Sequence, residues 1–210
     1  MLRWGIPSLL LIAFVLVAFV VPTFFNQQPD DSLAADDATV QQPFESGEYE
    51  VGKTVAPGEY AIHLNKYGHY EVTSNRSFTS DSIIFNYTAT EPMTVYVQLE
   101  EQEFVRLTDA SAQPIENATP QRPVDERFGS GIYKVGFDVK EGTYTIYAPP
   151  NDDLGYVEIR TNARGDVDGL VTGDYVTSDR TIDVTNGQYI LLNNAQMSAS
   201  PIDEKEAETK

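Results

Sequence analysis

The sequence predicts an all-β protein: two small antiparallel β-sandwich or barrel-like modules in tandem, preceded by one N-terminal transmembrane helix. Three observations predict this organisation. Nine of the seventeen residues from Ser46 to Ile62 recur without a gap from Ser130 to Ile146, apolar and polar residues alternate in both copies, and no charge occurs from Trp4 to Phe25. An internal repeat indicates two copies of one supersecondary unit, and a period of two is typical of half-buried antiparallel strands.

The uncharged N-terminal segment is long enough to cross a membrane. Its 22 residues, Trp4 to Phe25, form a helix of about 33 Å, whereas a hydrocarbon core is about 30 Å thick. Arg3 precedes the segment and four aspartates follow it within residues 30–37, so the positive-inside rule places residues 1–3 in the cytoplasm as a short tip. We therefore expect a single-pass signal-anchor in the cell membrane, with the rest of the chain extracellular.

A cleaved signal peptide is the alternative for this segment. Its apolar region would usually span about 7–15 residues and would end close to a small-residue cleavage site. The nearest candidate, Ala35, lies far downstream of Phe25. A lipid anchor on cysteine is excluded because the sequence contains no cysteine.

The composition narrows the class of protein and of partner. There are 32 acidic and 14 basic residues, and the resulting net charge of −18 repels nucleic acid and anionic lipid. The lack of cysteine removes disulfides, thiol nucleophiles and thiolate metal sites. Secreted eukaryotic domains of this size usually need disulfides, so a bacterial envelope protein is favoured.

The remaining boundaries follow from changes in composition. Residues 26–43 are acidic and lack apolar periodicity, which predicts a disordered stalk. The first β-module extends over 44–114 and the second over 128–202. Residues 115–127 contain two prolines among polar residues and are predicted to be a linker. Residues 203–210 form a charged tail.

Each copy of the repeat contains a predicted turn that needs glycine. In the tetrapeptide Ala56 to Glu59, proline at the second position and glycine at the third are typical of a type II turn. The second copy, Lys140 to Thr143, loses the proline and keeps the glycine. A positive φ at Gly58 and Gly142 is therefore the predicted requirement.

Two further segment pairs extend the repeat beyond the motif. Residues Thr94 to Val97 match Thr181 to Val184, and Glu103 to Leu107 match Gln188 to Leu192. These matches predict equivalent strands in the two modules.

The duplicated motif resembles a G-x-Y-x-V-G-x-D-I-x-x-G-x-Y element of Gram-positive cell-surface proteins, which are usually membrane- or lipid-anchored. The resemblance covers about 17 residues in each copy. Asp138 keeps the acidic position of that element, whereas Thr54 departs from it. The resemblance implies a surface location and tandem modules, and it carries no catalytic residues to this chain.

Tyrosines are the candidate ligand-binding residues. Four flank the loops after the second strand of each copy, where exposed rings could stack on glycans: Tyr67, Tyr70, Tyr147 and Tyr156. The four tyrosines of the repeat are in phase with the core aliphatic residues and are expected to be structural: Tyr49, Tyr60, Tyr133 and Tyr144.

Other motifs predict neither metal nor cofactor binding. His63 and His69 are the only histidines, and they are expected to lie apart on the surface. The segment Gly165 to Gly169 resembles part of a calcium loop but lacks the flanking acidic ligands, so acidic turns are expected. Weak calcium binding is the alternative, by Asp152, Asp153, Asp166, Asp168 and Asp174. The tripeptide Arg164 to Asp166 matches an integrin motif, which we interpret as coincidence.

These observations favour a non-catalytic binding protein. The sequence has no G-x-S-x-G, S-x-x-K or H-E-x-x-H motif, so no enzyme is expected. The predicted function is a membrane-anchored, extracytoplasmic protein that binds a wall polymer or another surface protein. The alternative is a structural or accessory subunit of a membrane complex that acts through its helix.

Overall fold

The computed structural model describes residues 40–150 and 153–202. Apart from a 3-10 turn at Ile115–Asn117, the regular structure of these residues consists of β-strands, and every pair of neighbouring strands is antiparallel. The predicted all-β, antiparallel fold class is therefore confirmed.

The first module is one five-stranded sheet built around a long bent strand. Its strands are β1 (Gly47–Glu50), β2 (Gly58–Thr73), β3 (Ile83–Thr88), β4 (Met93–Leu99) and β5 (Phe104–Pro114). The first half of β2 pairs with β4 and its second half pairs with β3, while β5 pairs along both halves. The bend falls at a bulge between Leu64 and His69, which lets one sheet wrap around one core.

The second module is a sandwich of two four-stranded sheets. Its strands are β6 (Arg127–Phe128), β7 (Gly131–Lys134), β8 (Gly142–Tyr147), β9 (Gly155–Arg160), β10 (Leu170–Val176), β11 (Arg180–Val184), β12 (Tyr189–Asn193) and β13 (Gln196–Ser198). One sheet has the order β10-β9-β12-β7 and the other β11-β8-β13-β6. Strands β8 and β9 correspond to the two halves of β2, and β12 and β13 to those of β5.

The register of the paired strands shows whether the segments that were matched between the two copies occupy equivalent positions. Tyr49 lies opposite Val105, and Tyr133 lies opposite Ile190, so the match of 103–107 with 188–192 is confirmed. The other match is wrong by two residues, because the residue opposite Tyr60 is Val97 and the residue opposite Tyr144 is Ile182. A shift of two residues leaves the same strand face in the core, so the alternation of apolar residues cannot detect it.

Each module has its own hydrophobic core, and the repeat tyrosines are part of its construction. In all four, the hydroxyl donates a 2.9 Å hydrogen bond to the carbonyl four residues earlier: Tyr49 to Glu45, Tyr60 to Ala56, Tyr133 to Gly129 and Tyr144 to Lys140. A buried phenol requires such a partner. Burial raises the pKa of Tyr60 and of Tyr133 to about 12. The structural role predicted for these tyrosines is confirmed.

The positive φ predicted for Gly58 and Gly142 is also confirmed, but the type II turn is wrong. Their φ values are 143° and 141°, whereas a type II turn needs about +80°. Both residues begin a strand, β2 and β8 respectively. The hydrogen-bonded turn lies earlier, at Gly52 (φ 87°) and Gly136 (φ 91°), whose N–H groups donate to the carbonyls three residues ahead.

Several predicted segments lie outside the described residues. They are the cytoplasmic tip 1–3, the transmembrane segment 4–25, residues 26–39 of the stalk and the tail 203–210. Within the described ranges, no helix has the length and apolar character needed to cross a membrane.

Gly58→Val and Gly142→Val should each lower the free energy of unfolding by more than about 1 kcal/mol, because a β-branched residue is penalised at positive φ. At Gly142, an added Cβ would also lie 2.7 Å from the Pro201 Cβ. Urea denaturation of the variants measures the effect. Gly129→Val is the matched control, since no atom lies within 4 Å of a Cβ there. Pro57→Ala should cost less than about 1 kcal/mol. Equal stability of the Gly142 and Gly129 variants would contradict the assignment.

Candidate functional site

The two modules contact each other through the outer faces of their sheets. Ala61 on β2 and Tyr96 on β4 alternate with core residues of the first module and face the second module, where Tyr189 on β12 faces them. Ala61, Tyr96 and Tyr189 form a buried apolar cluster there, distinct from both cores. The described parts of both modules belong to one compact unit.

Glu59 of the first module is the centre of one set of polar contacts across this interface. It forms an ion pair with Lys134 and accepts a 2.6 Å hydrogen bond from the Tyr189 hydroxyl. Burial, and then the hydrogen bond to Glu59, raise the pKa of Tyr189 above its usual range. Glu59 and Lys134 belong to different modules, so a rotation of one module would leave a largely buried charge without its partner. The contacts therefore favour one orientation of the modules.

Asp138 is the centre of the second set. Its carboxylate accepts hydrogen bonds from the Tyr96 hydroxyl (2.8 and 2.9 Å), from the Gln121 N–H (2.7 Å) and from the Lys134 N–H (2.7 Å). In the first copy Thr54 replaces this residue, and its hydroxyl accepts only the local bond, from the Glu50 N–H at 2.8 Å. The acidic residue thus closes a turn and also connects the linker and both modules.

Arg164 adds a third cross-module contact. Its guanidinium lies 2.6 Å from the Glu103 carboxylate and donates to the Gln98 carbonyl at 3.3 Å. Only 15% of the Arg164 side chain is exposed. The arginine of the tripeptide Arg164 to Asp166 is therefore bonded to residues of the first module.

A cleft of about 320 Å³ opens beside this interface, between β3 of the first module and the outer face of β9 and β12 of the second. This volume lies at the lower end of the range for ligand pockets, about 300 to 1,000 Å³. Aromatic and aliphatic side chains form most of its walls: Tyr70, Ile84, Phe85, Tyr87, Tyr96, Ile132, Tyr189 and Leu191.

An ion pair within β9 supplies charged groups to the cleft. The Glu158 carboxylate is bonded to the Arg160 guanidinium and accepts a 2.8 Å hydrogen bond from the Tyr156 hydroxyl. Glu158 is 8% exposed. Arg160 also donates to the Asp166 carbonyl, so both charges are held in place by the protein.

The structure separates the four tyrosines predicted as binding candidates. Tyr70 lines the cleft, and Tyr156 reaches it through Glu158. Tyr67 lies elsewhere, 69% exposed, at the bulge of β2. Tyr147 packs under the Arg127 guanidinium, 3.8 Å from its ring centroid. Of the four tyrosines predicted from the sequence, one therefore lines the cleft directly.

Sequence reasoning missed the polar residues of the cleft, three of which come from the second module. Glu158, Arg160 and Asn162 share one strand and the loop after it, and Asn86 lies on β3. A charged pair two residues apart on a predicted strand was an available signal, but strand alternation assigns such a pair to solvent. The packing of the first module over that face is what buries the charged pair.

The histidines and acidic loops do not converge. His63 lies beside Thr94, and the His69 ring bonds the Thr88 hydroxyl at 2.8 Å. Asp166 accepts hydrogen bonds from Asn162 and from the Gly169 N–H within its own loop. Among the described residues, no group of three histidine, aspartate or glutamate side chains is arranged to hold a metal ion. Asp152 lies outside those residues.

Comparison with protein-family models finds no match to this chain, and comparison with curated protein sequences also finds none.

Because each module has its own core, fragments 44–114 and 128–202 should each give dispersed amide NMR spectra. Compared with the intact protein, the shift changes should be confined to the interface, around Tyr96, Lys134 and Asp138. A collapsed spectrum from either fragment would show that the modules complete one another.

Stability should depend on pH through Asp138. Burial raises the pKa of its carboxyl, although its hydrogen bonds oppose this effect. The folded protein therefore binds this proton more readily than the unfolded chain, and the cost of ionisation is fully present only above the folded pKa.

Wild type should consequently gain stability relative to Asp138→Asn as the pH falls from about 7 to about 4, near the pKa of an unperturbed aspartate. Urea denaturation of both proteins across this range measures the difference. A constant difference, or one of opposite sign, would contradict the raised pKa.

Proposed function

We propose that this protein is a non-catalytic binding protein of the bacterial envelope, anchored by residues 4–25, with its two β-modules outside the membrane. Its partner would be a wall polymer or a neighbouring surface protein. The observation that carries the proposal is the inter-module cleft, which combines aromatic walls with a few oriented polar groups. Neither module alone would provide it.

The contacts around the cleft support a binding role because they keep it preformed. The Glu59, Asp138 and Arg164 contacts join the modules on the side next to the cleft. A preformed site loses little conformational entropy when a ligand binds. The anchored, extracytoplasmic location rests on the uncharged segment and on the charges around it.

Full-length protein in detergent, immobilised through its C-terminus, should retain fragments of purified cell wall or specific membrane proteins from a bacterial envelope extract. A heat-denatured sample of the same protein is the control. Retention of neither class of partner would contradict the binding function.

The alternative function, an accessory subunit acting through its helix, gives a different result in the same assay. Replacing residues 4–25 by an unrelated apolar span should leave retention unchanged if the β-modules bind the partner. If that replacement abolishes retention, the helix is the contact and the alternative holds.

A further inference from the structure

The hydroxyl group of Tyr70 has no hydrogen-bond partner among the described residues. The residue is only 6% exposed, and its ring packs edge to face against Phe85 at 6.2 Å. No described residue bonds its hydroxyl, yet no fully enclosed side-chain oxygen or nitrogen of the described residues lacks a partner. The hydroxyl is therefore the accessible end of a buried side chain. Because Tyr70 lines the cleft, that end opens there.

Other groups beside this hydroxyl are also available to a ligand. Tyr87 lies opposite Tyr70 in the pairing of β2 with β3, and Arg160 lines the same cleft. Burial raises the pKa of the Tyr70 hydroxyl. The Tyr87 hydroxyl and the Asn86 amide have no hydrogen-bond partner within the described ranges. On Arg160, Nε and Nη1 are bonded and Nη2 is free of partners among the same residues. Of these residues Tyr70 is the buried one, and most polar groups on buried side chains are paired, so its hydroxyl needs an explanation.

The charges of the cleft favour an uncharged ligand. Glu158 and Arg160 neutralise each other, and Arg164 is neutralised by Glu103. The whole chain has a net charge of −18 and therefore repels anionic polymers. A ligand must therefore satisfy several hydrogen bonds without bringing a net charge.

We propose that the cleft binds the uncharged sugar units of a glycan, a proposal that rests on the binding function above and specifies its ligand. Sugar hydroxyls and ring oxygens accept hydrogen bonds from Tyr70, Tyr87 and Arg160, and the sugar hydroxyls donate to the Glu158 carboxylate. The apolar face of the sugar ring packs on the aromatic wall formed by Phe85 and its neighbours. The ligand thus supplies the partner that the Tyr70 hydroxyl lacks.

Isothermal titration of the full-length protein with cellobiose, maltose and N,N′-diacetylchitobiose tests the proposal, and glucose 6-phosphate is the charged comparison. At least one neutral disaccharide should bind more tightly than the phosphate. Tyr70→Phe removes only the unpartnered hydroxyl, so it should weaken binding about tenfold without lowering the melting temperature.

Tyr60→Phe is the matched control. Its hydroxyl donates to the Ala56 carbonyl away from the cleft, so this variant should melt at a lower temperature and bind the sugar as wild type does. Tyr67→Ala, at the exposed bulge, should leave both properties unchanged. Tighter binding of the phosphate, unchanged binding by Tyr70→Phe, or no binding of any disaccharide would overturn the proposal.

The two proposals can fail separately. Wall retention that persists in Tyr70→Phe, with no disaccharide binding, would overturn the sugar cleft and leave the binding function standing. Disaccharide binding that needs Tyr70, with no retention of wall or membrane proteins, would support the cleft and overturn the proposed envelope partner.

Discussion

The Asp138 carboxylate is the interaction on which the arrangement of this protein depends. One acidic side chain accepts hydrogen bonds from its own turn, from the linker at Gln121 and from Tyr96 of the other module. Its ionised form is disfavoured by burial, and the four donor contacts offset part of that cost. Because the cleft is formed jointly by both modules, its shape follows from the orientation that these bonds and the Glu59 contacts maintain.

Duplication explains why two copies of one unit have different roles. The local bond of the turn needs only one acceptor, which Thr54 supplies in the first copy and Asp138 in the second. A carboxylate has a second oxygen, and in the second copy that oxygen takes part in the interface. Likewise, β2 is one continuous strand in the first module, whereas in the second module β8 ends at Tyr147 and β9 begins at Gly155. The core remains similar while the outer surfaces diverge.

The cleft also shows that a strand pattern typical of solvent exposure can occur on a face that another module covers. Glu158 and Arg160 alternate with core residues along β9, which by itself describes a solvent-facing strand. The first module covers that face, so the pair lines the same cleft as Tyr70. Tyr156 and the Asp166 carbonyl hold the two charged groups in place. The charged groups of the cleft come from the outer face of β9, whereas Tyr70 belongs to the core cluster of the first module.

The sequence alone determined the repeat, the all-β class, the structural tyrosines and the positive φ of Gly58 and Gly142, because local backbone geometry and strand periodicity are written in neighbouring residues. It misplaced one strand match by two residues, since alternation is blind to that shift. Only the tertiary structure decided that Tyr70 belongs to a cleft while Tyr67 and Tyr147 do not, and that Glu158 and Arg160 complete it. Contacts between residues far apart in the chain depend on how the two modules pack, and no local sequence pattern predicts that packing.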